Sequence, residues 1–125
     1  MDVMFELSVK GHFSAAHRLM EYDGSCATLH GHNWDVEVYL RGEELDASGL
    51  LVDFKDVKAA VNSVLDEIDH VDLNATEAFG DLSPSSENIA RFLYRRLSGD
   101  INDARCVVHR VAVFETPTSR AVYWE

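Results

Sequence analysis

The chain has 125 residues, of which 46% are hydrophobic and 26% are charged. This length suffices for one domain with its own core, so we expect a single domain over residues 1–125. The 22 acidic and 11 basic side chains give a formal net charge of −11, which argues against a nucleic-acid partner because phosphates require a basic surface. Apolar runs fall short of the about 20 residues that a membrane span needs, and residues 1–6 lack the basic start of a signal peptide. We therefore expect a cytoplasmic protein that does not bind membranes.

Two strands are predicted at the start of the chain, in residues 5–17 and 30–41. Both runs alternate apolar and polar side chains, which is typical of a strand with one buried face. In the second run the apolar side chains at even positions from 34 to 40 share their parity with His30 and His32. Both histidines are therefore expected on the buried face, and His17 has the matching parity at the end of the first run.

The three histidines are the best candidates for a metal site. His30 and His32 are two residues apart on one strand, so both imidazoles could face one ion, and His17 could supply a third ligand. Burying neutral imidazoles costs free energy unless they are paired or coordinated. Three protein ligands with one open position are typical of a catalytic zinc site. The alternative interpretation is a set of ordinary strand histidines.

The apolar period changes to a helical one in the middle of the chain. Apolar side chains recur three or four residues apart after Asp53, which predicts a helix with Asp53 as N-cap that ends at residue 66 or 68. A second helix is predicted after Pro84, because two serines and a glutamate follow it and can bind free backbone N–H groups. Gly99 is its expected end.

Two further strands are predicted in residues 106–115 and 119–125, joined by a turn at 116–118. The order β-β-α-α-β-β indicates an α+β domain with an antiparallel sheet and both helices on one face. A sheet of only four strands has two open edges, which are a liability unless another chain covers them. We therefore expect the chain to form a homo-oligomer.

Four further places could carry chemistry, and each has a structural alternative. Arg18 could bind an anionic ligand or lie solvated on the surface. Asp69 and His70 could form an acid–base pair or mark an exposed helix end. Glu115, on the inward face of its strand, could bind adjacent N–H donors of a heterocycle or pair with a buried arginine. Cys26 could be a thiolate near the metal, since a metal lowers a thiol pKa, or inert packing in a reducing compartment.

Six short motifs now point to a family. They are FSAAHR at 13–18, CATLHGHN at 26–33, GLLVDF at 49–54, DHVDLN at 69–74, PSSENIA at 84–90 and ET at 115–116. In this order they make the chain resemble the 6-pyruvoyltetrahydropterin synthase / 6-carboxytetrahydropterin synthase family over nearly all of its length. The short interval from Cys26 to His30 is similar to that of the bacterial carboxy-producing enzymes.

The resemblance implies a tunnelling fold, in which trimers close a β-barrel and two trimers stack into a hexamer. It implies that His17, His30 and His32 bind Zn²⁺, and that the ion holds the side-chain hydroxyls of 7,8-dihydroneopterin triphosphate. The implied product of the bacterial branch is 6-carboxy-5,6,7,8-tetrahydropterin, a precursor of queuosine, with acetaldehyde and triphosphate. A 6-pyruvoyl or 6-hydroxymethyl product and a silent zinc- or pterin-binding module are the alternatives.

The resemblance also implies roles for the other motif residues. Cys26 would be the general base, assisted by Asp69 and His70, which a neighbouring subunit could contribute. Glu115 would bind the amino-pyrimidine edge of the pterin, with Ser85 and Ser86 nearby. In this acidic chain, Arg18 is the candidate for contact with the triphosphate, with Lys10 or a residue of a partner subunit as alternatives.

Overall fold

Five strands and two α-helices make up the part of the chain that the structure describes. The computed structural model describes residues 4–125, apart from the side chain of Ser25; residues 1–3, on which the localisation prediction partly rests, lie outside it. The elements in chain order are β1 Phe5–His17, β2 His30–Gly42, α1 Phe54–Asp66, β3 Val71–Asp72, α2 Ser86–Ile101, β4 Val107–Thr116 and β5 Ser119–Tyr123. Short 3-10 turns lie at Ser25–Ala27 and Leu73–Ala75.

The strands form one sheet in the order β3-β1-β2-β4-β5. All neighbours are antiparallel except β3, which runs parallel to β1. We expected four strands, but the sheet has a fifth, the two-residue strand β3. This strand is too short to show any alternation in the sequence. It forms because the chain leaving α1 returns to the edge of β1, where the His70 N–H donates to the Ser14 carbonyl and Val71 pairs with Ala15.

The core lies between the sheet and both helices. Helix α1 packs on β1, α2 packs on β4 and β5, and the helices contact each other, so both cover one face as predicted. Trp34 is fully buried on this face and stacks on Phe13 with ring centroids 5.6 Å apart. Gly11 lets α1 come close to β1, because a Cβ atom there would lie 2.7 Å from Leu65 Cδ1. The α+β class and the alternation in both first strands are confirmed.

The helix starts follow the capping residues of the sequence. The Asp53 side chain accepts a hydrogen bond from the Lys55 N–H at the start of α1, and Ser85 caps α2. The predicted end of α2 at Gly99 is wrong, because the helix continues to Ile101. An exposed glycine inside a helix costs only about 1 kcal/mol, and the half-buried Ile101 packs against the core beyond it. Strands β4 and β5 begin and end within two residues of their predicted bounds.

Candidate metal centre

Three histidines and a glutamate converge where β1, β2 and β4 meet on the helix side of the sheet. One ligand atom from each of His17, His30, His32 and Glu115 lies within 4.8 Å of the other three. The register explains the convergence, because His17 is paired directly with His30 across β1 and β2, and His32 lies two residues further on the same face. The imidazole centroids are 4.6 to 5.3 Å apart.

His17 is the most buried of these four residues, with 1% of its surface exposed. Its Nδ1 atom lies 2.7 Å from the Pro84 carbonyl oxygen. A carbonyl can only accept, so Nδ1 carries the proton and Nε2 presents a lone pair. Nε2 has no hydrogen-bond partner among the described residues. Burial and then the neighbouring His30 lower the pKa of His17 against the opposing effect of the Pro84 carbonyl, which keeps the imidazole neutral as a metal ligand must be.

The other two histidines show related arrangements. His30 Nδ1 donates to the Thr28 carbonyl at 2.7 Å, so its Nε2 atom also presents a lone pair. His32 Nε2 lies 3.0 Å from Glu115 Oε1. That contact lies outside hydrogen-bond geometry, and the buried His32 Nε2 atom is left without a hydrogen-bond partner in the described part of the chain.

Glu115 occupies the last inward position of β4 and is about one-third exposed. Besides its contact with His32, its Oε2 atom accepts a hydrogen bond from Ser86 Oγ at 3.1 Å. From the sequence, a buried arginine was an alternative partner for Glu115. In the structure, the contacts of this carboxylate are with the His32 imidazole and the Ser86 hydroxyl. It therefore faces the histidine cluster, where it could hold either a metal ion or a ligand beside that ion.

The donor set fits a zinc ion. Two histidines are fixed by carbonyl acceptors in the tautomer that frees Nε2, which is the usual outer-shell arrangement around metal-bound imidazoles. A buried His17 Nε2 without a partner would otherwise cost about 1–3 kcal/mol. Neutral imidazoles are typical zinc ligands, and a set of three leaves room for substrate or water.

The structure does not bring the predicted acid–base residues into this cluster. Cys26 is half-buried in the turn Ser25–Ala27, and its carbonyl accepts from the Leu19 N–H at 2.8 Å. His70 Nδ1 lies 2.9 Å from Asp69 Oδ1, and the His70 side chain is 81% exposed at the edge of β1. The pKa of Asp69 is lowered, first by the hydrogen bond from the Ser14 N–H and then by His70.

The predicted substrate residues divide into two groups. Ser86 contacts Glu115, whereas the Ser85 hydroxyl accepts from the Asn88 N–H and serves as the N-cap of α2. The Arg18 side chain is exposed directly after His17. Asn74 holds its main chain at two points: Asn74 Oδ1 accepts from the Arg18 N–H at 2.8 Å, and Nδ2 donates to the Arg18 carbonyl at 3.2 Å.

Sequence reasoning missed the groups that orient the histidines. The carbonyls of Pro84 and Thr28 fix two imidazoles. Asn74 fixes the main chain at Arg18, directly after β1. Main-chain acceptors leave no residue-type signal, so only Asn74, within the motif at 69–74, could have been singled out.

Comparisons with known proteins point to one family. The model of the family 6-pyruvoyl tetrahydropterin synthase matches residues 6–125. A 6-carboxy-5,6,7,8-tetrahydropterin synthase of Bacillus subtilis is 36% identical over 127 residues, with 95% of this chain and 84% of that protein covered. The Haemophilus influenzae enzyme of the same name is 32% identical over 145 residues, with 98% and 100% covered. The structure of Caenorhabditis elegans 6-pyruvoyl tetrahydropterin synthase matches with a TM-score of 0.89 at 30% identity, covering 99% of this chain and 97% of that one.

The fold and the histidine cluster, together with these relatives, define a tetrahydropterin synthase, which is an enzyme of the lyase class. The chain belongs to the 6-pyruvoyl tetrahydropterin synthase family. The predictions of the family, the tunnelling fold and an enzyme are confirmed. Within residues 4–125, none of the helices has the length and apolar character needed to cross a membrane.

Proposed function

We propose that this chain is a zinc-dependent enzyme that converts 7,8-dihydroneopterin triphosphate and one water to 6-carboxy-5,6,7,8-tetrahydropterin, acetaldehyde and triphosphate. The observation that carries the proposal is the three-histidine cluster, with His17 and His30 in the ligand tautomer and Glu115 beside them. The curated relatives at 36% and 32% identity, both named 6-carboxy-5,6,7,8-tetrahydropterin synthase, support this product. The product would serve as a queuosine precursor, made in the cytoplasm.

The residues around the cluster have distinct parts in this proposal. Zn²⁺ bound by the histidines would act as a Lewis acid on the hydroxyl groups of the substrate side chain. Glu115 would accept two N–H groups of the pterin's amino-pyrimidine edge, because a carboxylate offers two acceptor oxygens. The Ser86 hydroxyl keeps Glu115 Oε2 oriented for this contact. Cys26 Sγ would remove the carbon-bound proton as a thiolate, which is the reactive form of cysteine.

The remaining residues would bind the triphosphate and assist the proton transfer. Arg18 carries the positive charge nearest in sequence to the cluster, and Asn74 holds its main chain in place. Ser85 supports the site by capping α2, which brings Ser86 to Glu115. The hydrogen bond from the Ser14 N–H keeps Asp69 ionised, and this carboxylate orients the His70 imidazole for acid–base work.

A shared site would bring these parts together. In one chain, Asp69 and His70 lie at the edge of β1 and not in the ligand cluster. We propose that they act in the site of a neighbouring subunit, within a hexamer of two trimers. Two strand edges could pair with neighbouring subunits: the part of β1 that β3 does not cover, and the outer edge of β5. Pairing there would remove exposed strand edges.

Anaerobic incubation of the zinc-loaded protein with 7,8-dihydroneopterin triphosphate, followed by mass spectrometry, tests the reaction. The proposal expects 6-carboxytetrahydropterin and acetaldehyde. A 6-pyruvoyl product, as in the name of the Caenorhabditis elegans neighbour, would refute the assigned product and keep the family. Zinc and pterin binding without any product would favour the silent binding module. A Cys26→Ala variant should keep zinc and lose turnover, and full turnover of that variant would refute the general-base role.

A further inference from the structure

The turn that precedes α2 carries the group that orients His17. Pro84 is buried in this turn, and its carbonyl accepts the His17 Nδ1–H at 2.7 Å. The position of that oxygen therefore sets both the tautomer of His17 and the direction in which Nε2 points. A shift of the turn would displace the acceptor of the His17 Nδ1–H and strain a ring that packs edge-on against Trp34, with ring centroids 4.9 Å apart.

The side chain of Asn88 holds this turn from inside α2. Its Nδ2 atom donates to the Ser83 carbonyl at 2.7 Å, one residue before Pro84. Its Oδ1 atom accepts a hydrogen bond from Arg91 Nη2, one turn further along the helix. A carbonyl can only accept and a guanidinium can only donate, so both contacts fix the same orientation of the amide.

The main chain of Asn88 adds a third contact, since its N–H donates to the Ser85 hydroxyl at 3.2 Å. The side-chain amide and this cap thus bind the turn on both sides of Pro84. The Ser83 hydroxyl in turn accepts from the Met20 N–H at 2.9 Å, which connects the turn to the segment after β1. The described contacts form a continuous connection from Arg91 through Asn88 and the turn to the His17 imidazole.

We propose that Asn88 is a positioning residue for the metal ligand His17, acting through the carbonyl of Pro84. This inference rests on the metal site of the proposed function, but it requires neither the proposed product nor turnover. Groups that orient a metal-bound histidine typically contribute about 10–100-fold to metal affinity. Asn88 acts one step further out, so loss of its amide donor should weaken metal binding by about 10-fold.

The experiment compares metal affinity in variants that keep the fold. Asn88→Leu keeps the size of the side chain without a charge and removes the donor. Asn88→Asp also removes the donor but keeps an acceptor for Arg91 in the first turn of α2, where a carboxylate is favourable. Asn62→Asp, at an exposed position in α1, is the matched control for the added charge.

Each protein is prepared without metal, and Zn²⁺ affinity is measured by competition with a chromophoric chelator. Co²⁺ binding is followed in parallel by its visible absorption, which reports ligand geometry. We expect about 10-fold weaker binding and an altered Co²⁺ spectrum in both Asn88 variants. The Asn62→Asp protein should match the parent chain.

Three other outcomes are informative. A parent chain that does not bind Zn²⁺ would overturn the metal site and with it the proposed function. A parent chain that binds, together with Asn88 variants of unchanged affinity and spectrum, would overturn the positioning role alone. Lower thermal stability of the metal-free variants with unchanged metal affinity would show that Asn88 is merely structural, which also overturns the inference.

Discussion

Removal of the His30 imidazole should remove most of the stabilisation by zinc while leaving the fold intact. Among the proposed ligands, His30 is the suitable one to remove because it is half-buried. Its hydrogen bond to the Thr28 carbonyl contributes about 1 kcal/mol. His17 is a poorer choice, since its enclosed ring packs on Trp34 and its loss would leave a cavity. A His30→Ala variant therefore separates loss of the metal from loss of the core.

The expected size of the effect follows from mass action. A ligand at 100 times its Kd stabilises the folded state by about 2.7 kcal/mol. For a chain of this length, 1 kcal/mol corresponds to about 3–6 °C in Tm, so zinc should raise the Tm of the parent by about 8–16 °C. The His30→Ala variant should show a shift of only about 1–2 °C at the same zinc concentration.

Differential scanning calorimetry with and without zinc measures both values. A His109→Ala variant is the matched control, because this β4 histidine is also partly exposed and its Nε2 atom lies 3.9 Å from Glu6 Oε2, outside the cluster. The control should keep the full zinc shift. Retention of the full shift in the His30→Ala protein would refute the ligand assignment, and loss of the shift in the control would point to non-specific zinc binding.

Three other results are expected. Glu115→Gln should keep zinc affinity within about 3-fold and weaken pterin binding in calorimetric titrations; a large loss of zinc affinity would instead make Glu115 a metal ligand. Iodoacetamide at pH 8 should label Cys26 faster than Cys106, because Cys106 is 3% exposed and burial raises the pKa of its thiol. Peptide mapping that finds Cys106 labelled first would contradict this expectation. Ser85→Ala should lower the urea unfolding free energy of the metal-free protein by about 1 kcal/mol through loss of the N-cap, and an unchanged value would count against that role.

The alternation of residues explains how much of the site could be predicted. His30 and His32 had to face the core because they share the parity of Trp34, and their strand is buried on that side. The position of His17 at the end of the first strand could be predicted from the sequence in the same way. In contrast, Gly99 predicted the wrong end for α2. The free energy gained when Ile101 packs against the core outweighs the modest cost of an exposed glycine in the helix.

Side-chain periodicity therefore determined, from the sequence alone, the two long strands, the two helices and the face on which three imidazoles lie. The tertiary structure decided what surrounds them. The carbonyls of Pro84 and Thr28, the Ser86 contact with Glu115 and the amide of Asn88 act between segments or through the main chain. Such contacts depend on distances between elements that the local pattern does not encode, and main-chain acceptors are the same in every residue.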